Sequence, residues 1–200
     1  MTKQIEQDRD GRASRYEYRV WGKHHAARKK LARLSTDTFK ERVNDCYLIV
    51  DDSSWNAKVR DNTLKLKQLI ESDDGFQRWA SGRHRSLEST PTPFDEIFEQ
   101  LSLDRPQRGK AYDLRRAVKK LDAMPGVRAV FVTKQRKRCS VGSLRAEVTN
   151  IELRDSGDVM HTLLIEGDDL DELIALRKKL GLRDEPNIAV HEAIEAEFNN

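Results

Sequence analysis

Polar and apolar residues alternate with a period of two along Arg15-Tyr16-Glu17-Tyr18-Arg19-Val20-Trp21. Successive side chains of a strand point to opposite faces, so this segment predicts a strand with Tyr16, Tyr18 and Val20 on one face and Arg15, Glu17, Arg19 and Trp21 on the other. Gly22 ends it, and a basic helix follows over 23–34 with Ala27, Leu31 and Leu34 as its apolar stripe. Residues 35–44 are expected to form a short connecting helix or loop. Strand-like runs over 45–51, 56–60 and 64–69 come next, the last two joined at Asp61-Asn62-Thr63, residue types that tolerate turn backbone angles. The pattern then predicts a short helix over 72–79, a loop over 82–93 containing Pro91 and Pro93, and helices over 94–101 and 109–124. The last of these carries Leu114, Ala117, Val118 and Leu121 at helical spacing and stops at Pro125-Gly126. Three more strands are expected over 128–138, 142–153 and 159–166, with Asp155-Ser156-Gly157-Asp158 as the turn between the last two. A helix over 168–180 closes at Gly181, and an amphipathic segment runs over 188–198.

Strands in hairpin-connected runs, with helices between and after, predict an α+β fold: an antiparallel sheet or barrel with helices packed outside. The order is not a strict β-α alternation, which disfavours a doubly wound nucleotide fold. Residues 1–14 are too polar to pack and read as a loose leader, leaving 15–200 as a single domain with a helical insertion at about 72–124.

The charged positions on these strands change the picture. Lys58 and Arg60 share a strand face, as do Lys65 and Lys67, and as do Lys134, Arg136 and Arg138. Arg15 and Arg19 share one on the first strand, with Glu17 between them. Four strands thus each present two or three cations on one side. Acids follow the same rule in smaller number: Glu147 lies on the face of Arg145 and Thr149, and Glu166 on the face of Thr162 and Leu164. A charged face on one strand is ordinarily a solvated sheet face. Repeated on many strands of one curved sheet, such faces become a single surface, and closure would make it a polar lumen. Cations at that density repel one another and are costly to desolvate unless anions or water fill the space. The chemical filler is a small dense polyanion such as a polyphosphate, which guanidinium forks and ammonium groups suit. Carboxylates among the cations could hold Mg²⁺ or Mn²⁺, which prefer oxygen ligands and bridge phosphate oxygens.

Composition narrows the alternatives. Lys and Arg number 37 against 34 Asp and Glu, so the net charge of +3 does not by itself mark a nucleic-acid protein. No apolar run approaches the roughly 20 residues a membrane-spanning helix needs. The N-terminus has no hydrophobic signal core. Cys46 and Cys139 lie far apart and form no CxxC pair, which argues against a disulfide framework or zinc cluster and fits a reducing cytoplasm. No Gly-rich phosphate loop of either common type occurs. His24-His25 diverge on a helix, His161 and His191 have no ligand partner at useful spacing, and Arg28-Lys29-Lys30 reads as a solvated helix face.

In order, Arg15-Tyr16-Glu17-Tyr18-Arg19, Lys58-Val59-Arg60, Lys65-Leu66-Lys67, Lys134-Gln135-Arg136, Glu147 and Leu164-Ile165-Glu166 resemble the motif series of the CYTH, or triphosphate tunnel metalloenzyme, superfamily. That family opens with E-x-E-x-K, continues through basic strands and an acidic strand, and closes with E-x-E before C-terminal helices. The resemblance covers roughly residues 15–198. It implies an antiparallel tunnel of about eight strands, a triphosphate-type substrate, and hydrolysis or nucleotide cyclisation. It further implies Lys58, Arg60, Lys65, Lys67, Lys134 and Arg136 as phosphate binders, joined on its strand face by Arg138. Glu17, Glu147 and Glu166 are implied as ligands for Mg²⁺ or Mn²⁺, and Arg19, with Glu17, stands at the catalytic position. The sequence departs from the family where Arg15 and Leu164 replace acids and Arg19 replaces the lysine.

Three functions stand open on these residues. One is a metal-dependent phosphohydrolase acting on tripolyphosphate or on a nucleoside or thiamine triphosphate. Another is a non-catalytic relative that binds a small polyanionic phosphate ligand. The third, nucleic-acid binding by a basic sheet, is disfavoured because aromatics do not interleave with most of the basic strand faces. No membrane partner is expected, and the oligomeric state is not legible.

Overall fold

Nine strands and four helices occur among the residues that the computed structural model describes, namely 14–50, 55–61, 63–81, 85–86 and 114–198. They are, in chain order, β1 (Arg15–Trp21), α1 (His25–Leu34), β2 (Thr38–Val50), β3 (Trp55–Arg60), β4 (Thr63–Asp73), β5 (Phe76–Ser81), β6 (Arg85–Ser86), α2 (Leu114–Asp122), β7 (Val127–Val141), β8 (Leu144–Leu153), β9 (Val159–Gly167), α3 (Leu170–Leu180) and α4 (Val190–Phe198). Eight strands hydrogen-bond in the order β3-β2-β7-β8-β9-β1-β5-β4, and β4 pairs back onto β3, so the antiparallel sheet closes into a barrel. The ninth strand, β6, pairs only with the start of β4, at Thr63 and Leu64. Closure removes the unpaired edges that an open sheet would expose. No helix of the described residues is long and apolar enough to cross a membrane.

Alternation decides what each strand puts inside and outside. Outward residues of β1, β5, β8 and β9, among them Tyr18, Val20, Phe76, Ala146, Leu163 and Ile165, pack under α1 and α3 through Ala27, Leu31, Leu173, Leu176 and Leu180. Outward Cys46, Leu48, Ala57, Val59, Leu64 and Leu66 pack under α2 through Val118 and Leu121. A third apolar cluster lies on the inward faces at one end of the barrel. There Tyr47, Ile49, Val130, Val132, Ile151 and Leu153 surround Val190 and Ile194 of α4. The C-terminal helix therefore fills that end, and the lumen is a closed-bottomed cavity.

Two sequence expectations are corrected. Residues 72–79 form no helix: β4 and β5 make a hairpin through Asp74-Gly75, whose φ angles of 45° and 78° both lie in the left-handed region. An Asp-Gly pair with positive φ at both positions is the strongest short hairpin signal, and it lies inside the misread segment. The 72–124 region thus begins as barrel wall; of its expected helices, α2 is described, while 94–101 falls outside the described residues. Residues 35–44 are not a short helix or loop either, because β2 begins at Thr38 and pairs in unbroken register with β7 from Thr38–Cys139 to Val50–Val127. The polar first half of β2 has no hydrophobic alternation, and only this long pairing reveals it.

Candidate functional site

The inward positions of β1, β3, β4, β7, β8 and β9 line one cavity of about 910 Å³. Arg15, Glu17 and Arg19 reach it from β1; Lys58 and Arg60 from β3; Lys65 and Lys67 from β4. Lys134, Arg136 and Arg138 come from β7, Arg145 and Glu147 from β8, and Leu164 and Glu166 from β9. Every residue the sequence singled out as a phosphate binder, metal ligand or catalytic group is thus brought to the same space. Residues as far apart along the chain as Arg15 and Glu166 converge there because each sits on the inward phase of its strand. Ala189 and Val190, at the start of α4, belong to the same lining and form part of its floor.

Buried in the wall behind this lining is a residue the sequence reading passed over. Asp45 on β2 has a fully buried carboxylate. Arg60 grips it with two donors, Nε to Oδ1 at 2.5 Å and Nη2 to Oδ2 at 2.7 Å. Lys134 Nζ lies 3.3 Å and Lys58 Nζ 3.6 Å from Oδ2. Lys134 also donates to the Tyr47 hydroxyl and sits 4.6 Å from the centre of the Tyr47 ring. Burial opposes the charge on Asp45, but the Arg60 hydrogen bonds and the two ammonium groups outweigh it and hold the carboxyl well below its usual range. Burial pushes Lys134 down to about 8, an effect that Asp45 only partly offsets. Burial, aided by the nearby charge of Lys134, also lowers Lys58 well below the ordinary lysine value. The one available signal was parity: Asp45 shares the inward phase of β2 with Tyr47 and Glu41. Sequence alone could not show that three cations from other strands would meet it.

Glu41, also unremarked in the sequence, fixes the β7 cations. Its Oε1 lies 2.6 Å from Arg136 Nη2 and 2.9 Å from Arg138 Nε. Arg136 reaches across to Glu147 as well, with Nη1 3.3 Å from Oε2, while Thr149 donates to Oε1 at 2.6 Å. Arg19 is braced by Thr162, to whose Oγ1 it donates at 3.3 Å, and stands 4.0 Å from Glu147. Burial raises the Glu147 carboxyl, but Arg19 and Arg136 overcome it and the group is held below its usual value. Glu17 is likewise lowered, against burial, chiefly by Lys67, which bonds to it directly. Glu166 behaves in the opposite way. It lies directly across from Glu17 on β1 and Arg145 on β8. Among the described residues it makes no ion pair or hydrogen bond, and burial together with the charge of Glu17 raises its pKa.

These engagements decide whether the residues suit a metal ion. Mg²⁺ and Mn²⁺ call for several oxygen donors free to coordinate. No group of three His, Cys, Asp or Glu side chains arranged to hold a metal occurs among the described residues. Of the three candidate ligands, Glu17 is bonded to Lys67 and Glu147 to Arg136 and Thr149, which leaves Glu166 alone. Leu164 stands on the inward face opposite both Arg19 and Glu147 and offers no donor. The acids present do not fit a metal centre. They are better described as internal counterions that fix the directions of the arginines and lysines.

Arg136 Nε and Asn56 Oδ1 are buried without a hydrogen-bond partner among the described residues, and both residues line the cavity. The first is a donor and the second an acceptor, so the cavity wall keeps hydrogen-bonding capacity of both kinds. Cys46 and Cys139 are both buried and free, and burial raises both thiols, to about 12 for Cys46, so neither is an activated nucleophile.

No protein-family model and no curated protein matches the sequence. Solved structures do match the fold. The PH1012 protein of Pyrococcus horikoshii OT3 is 12% identical with a TM-score of 0.51, over 89% of this chain and 98% of that one. A conserved hypothetical protein of Pyrococcus furiosus is 13% identical with a TM-score of 0.51, over 90% and 99%. HpAC1 from Hippeastrum, for which a dominant triphosphatase activity is described, is 12% identical with a TM-score of 0.49, over 92% and 96%. What these likenesses show is the fold: the chain shares with the two Pyrococcus proteins a common chain path over about nine-tenths of its length, and its own strands form a closed eight-stranded antiparallel barrel with helices packed outside.

Proposed function

We propose that the cavity binds the triphosphate group of a small anionic ligand and hydrolyses its terminal phosphoanhydride. The observation that supports this reading is the convergence of ten cationic side chains from five strands on one closed-bottomed cavity. A phosphate chain supplies many oxygens in small volume, and Arg and Lys donors bind it through charge-assisted hydrogen bonds. In the hydrolysis, water attacks the terminal phosphorus, the bridging P–O bond breaks, the leaving diphosphate portion takes its electron pair, and the proton of the attacking water passes to solvent. Lys58, Lys65, Lys67 and Arg136 would stabilise the charge spread over the phosphoryl oxygens, which is the main demand of this reaction.

Lys58 and Lys65 give a test of binding. They are directly paired across β3 and β4 and both line the cavity. The double variant Lys58→Ala, Lys65→Ala should bind tripolyphosphate at least about tenfold more weakly and release phosphate correspondingly more slowly. Calorimetric titration and phosphate release from tripolyphosphate and ATP, with and without Mg²⁺ and Mn²⁺, measure both. Unchanged affinity in the folded variant would remove the proposal.

A pH profile adds a second test. Lys134 titrates near 8, so tripolyphosphate affinity should decline as pH rises through that range and its ammonium is lost. A flat profile between pH 7 and about 10 would exclude Lys134 from the binding set.

Binding without turnover is the second reading, and two residues favour it. Leu164 presents no carboxylate to the cavity, and Arg19 places a guanidinium, a poor general base, where the resembled motif has a lysine. A rise in melting temperature with tripolyphosphate, without phosphate release, distinguishes this case.

A further inference from the structure

The ion pairs inside the cavity bear on the ionic form of its ligand. A triphosphate in solution exchanges between a free polyanion and its complex with a divalent cation, and a binding site favours whichever form its charges complement. Metal-dependent sites keep carboxylates open for the ion. Here the Glu17 carboxylate is already bonded by Lys67, and that of Glu147 by Arg136 and Thr149, with Arg19 at 4.0 Å. Leu164 fills the inward position opposite both Arg19 and Glu147. Glu166 alone of these acids makes no ion pair or hydrogen bond among the described residues, and a single carboxylate is too few oxygen donors to hold a divalent ion.

Charge balance points the same way. Ten cationic side chains line the cavity against four acidic ones. Asp45 and Glu41, which pair with Arg60, Lys134, Arg136 and Arg138 from the wall, bring the acids among the described residues to six. Cationic groups therefore outnumber acidic ones, which favours the most highly charged form of a polyphosphate. A bound Mg²⁺ would cancel part of the ligand's charge and weaken that complementarity.

We infer that the cavity takes the free, metal-uncomplexed form of its polyphosphate ligand, with Lys67, Arg19 and Arg136 standing where divalent ions would otherwise meet Glu17 and Glu147. This inference rests on the triphosphate reading above. It concerns binding, and it makes Mg²⁺ a competitor for the ligand, because the ion withdraws the polyanion into a complex that fits less well.

Calorimetric titration of the full chain with tripolyphosphate, once in EDTA and once in millimolar Mg²⁺, tests it. Mn²⁺ alone, followed by the amplitude of its electron paramagnetic resonance signal, provides a readout free of any phosphate. The expected result is binding in EDTA at least as tight as in Mg²⁺, and a Mn²⁺ signal that the protein leaves unchanged. Affinity weaker in EDTA by about tenfold or more, or loss of the free Mn²⁺ signal on adding protein, would overturn the inference while leaving the triphosphate reading in place. Absence of binding in both buffers would overturn the two together.

Discussion

Asp45→Asn lowers the stability of the protein by about 3–5 kcal/mol, the cost of leaving buried cations without their counterion. The carboxylate is inaccessible to solvent and answers three cations from two other strands: Arg60 through two hydrogen bonds, and Lys58 and Lys134 at 3.6 and 3.3 Å. Asn keeps the shape and loses the charge, so the change isolates electrostatics from packing. Urea unfolding followed by circular dichroism measures it. The same substitution should enlarge the gain in melting temperature produced by millimolar tripolyphosphate, because the added anion supplies charge the variant lacks. A loss below about 1 kcal/mol would mean the three cations are solvated in the native state. The pH dependence has a fixed sign. The folded-state pKa of Asp45 lies well below its ordinary value. Its contribution is therefore complete above about pH 4, where the unfolded chain also carries the charge, and is lost as pH falls through the acid range. The Asn variant should show a flatter loss of stability with acid than the natural protein.

Arg136→Ala weakens tripolyphosphate binding by about 10- to 100-fold, corresponding to roughly 1.5–3 kcal/mol for hydrogen bonds to a charged group. Arg136 already spends Nη2 on Glu41 and Nη1 on Glu147, while Nε remains buried and unpaired in the cavity wall. Two counterions fix the direction of the guanidinium, so little of its motion has to be frozen when an anion arrives. Stability should change much less than affinity. Arg138 still pairs with Glu41, and Thr149 and Arg19 still face Glu147 once Arg136 is gone. Arg136→Lys tests geometry separately: it retains the charge but cannot span Glu41 and Glu147 together, so it should recover only part of the affinity. Equal affinity in natural protein and Ala variant, measured by titration calorimetry, would place Arg136 outside the site.

The inward basic faces were legible because strand alternation is local. Once Lys58 and Arg60, Lys65 and Lys67, and Lys134, Arg136 and Arg138 are two residues apart on extended chain, they share a side whatever else the protein does. Apolar partners on the opposite side, such as Ala57, Val59, Leu64 and Leu66, show which side faces the helices. The resemblance to a family then supplied what periodicity could not: closure of the sheet and the order of its parts. The first half of β2 was illegible for the converse reason. Apart from Val43 its side chains are polar or exposed on both faces, so little in residues 38–44 distinguishes strand from loop until β7 pairs with it. The β4–β5 hairpin was missed although Asp74-Gly75 marks it, because Phe76 and Trp79 three residues apart mimic helical spacing.

The sequence by itself determined which residues could face one another: strand phase is a property of neighbouring positions, and it fixed the cationic and acidic sets before any fold was known. Only the tertiary structure decided what those sets mean to each other. Closure of the barrel brought Asp45 among Arg60, Lys58 and Lys134, set Lys67 on Glu17, and drove α4 into one end of the lumen. Charge interactions depend on distance and solvent access, and both are settled by contacts between segments far apart along the chain.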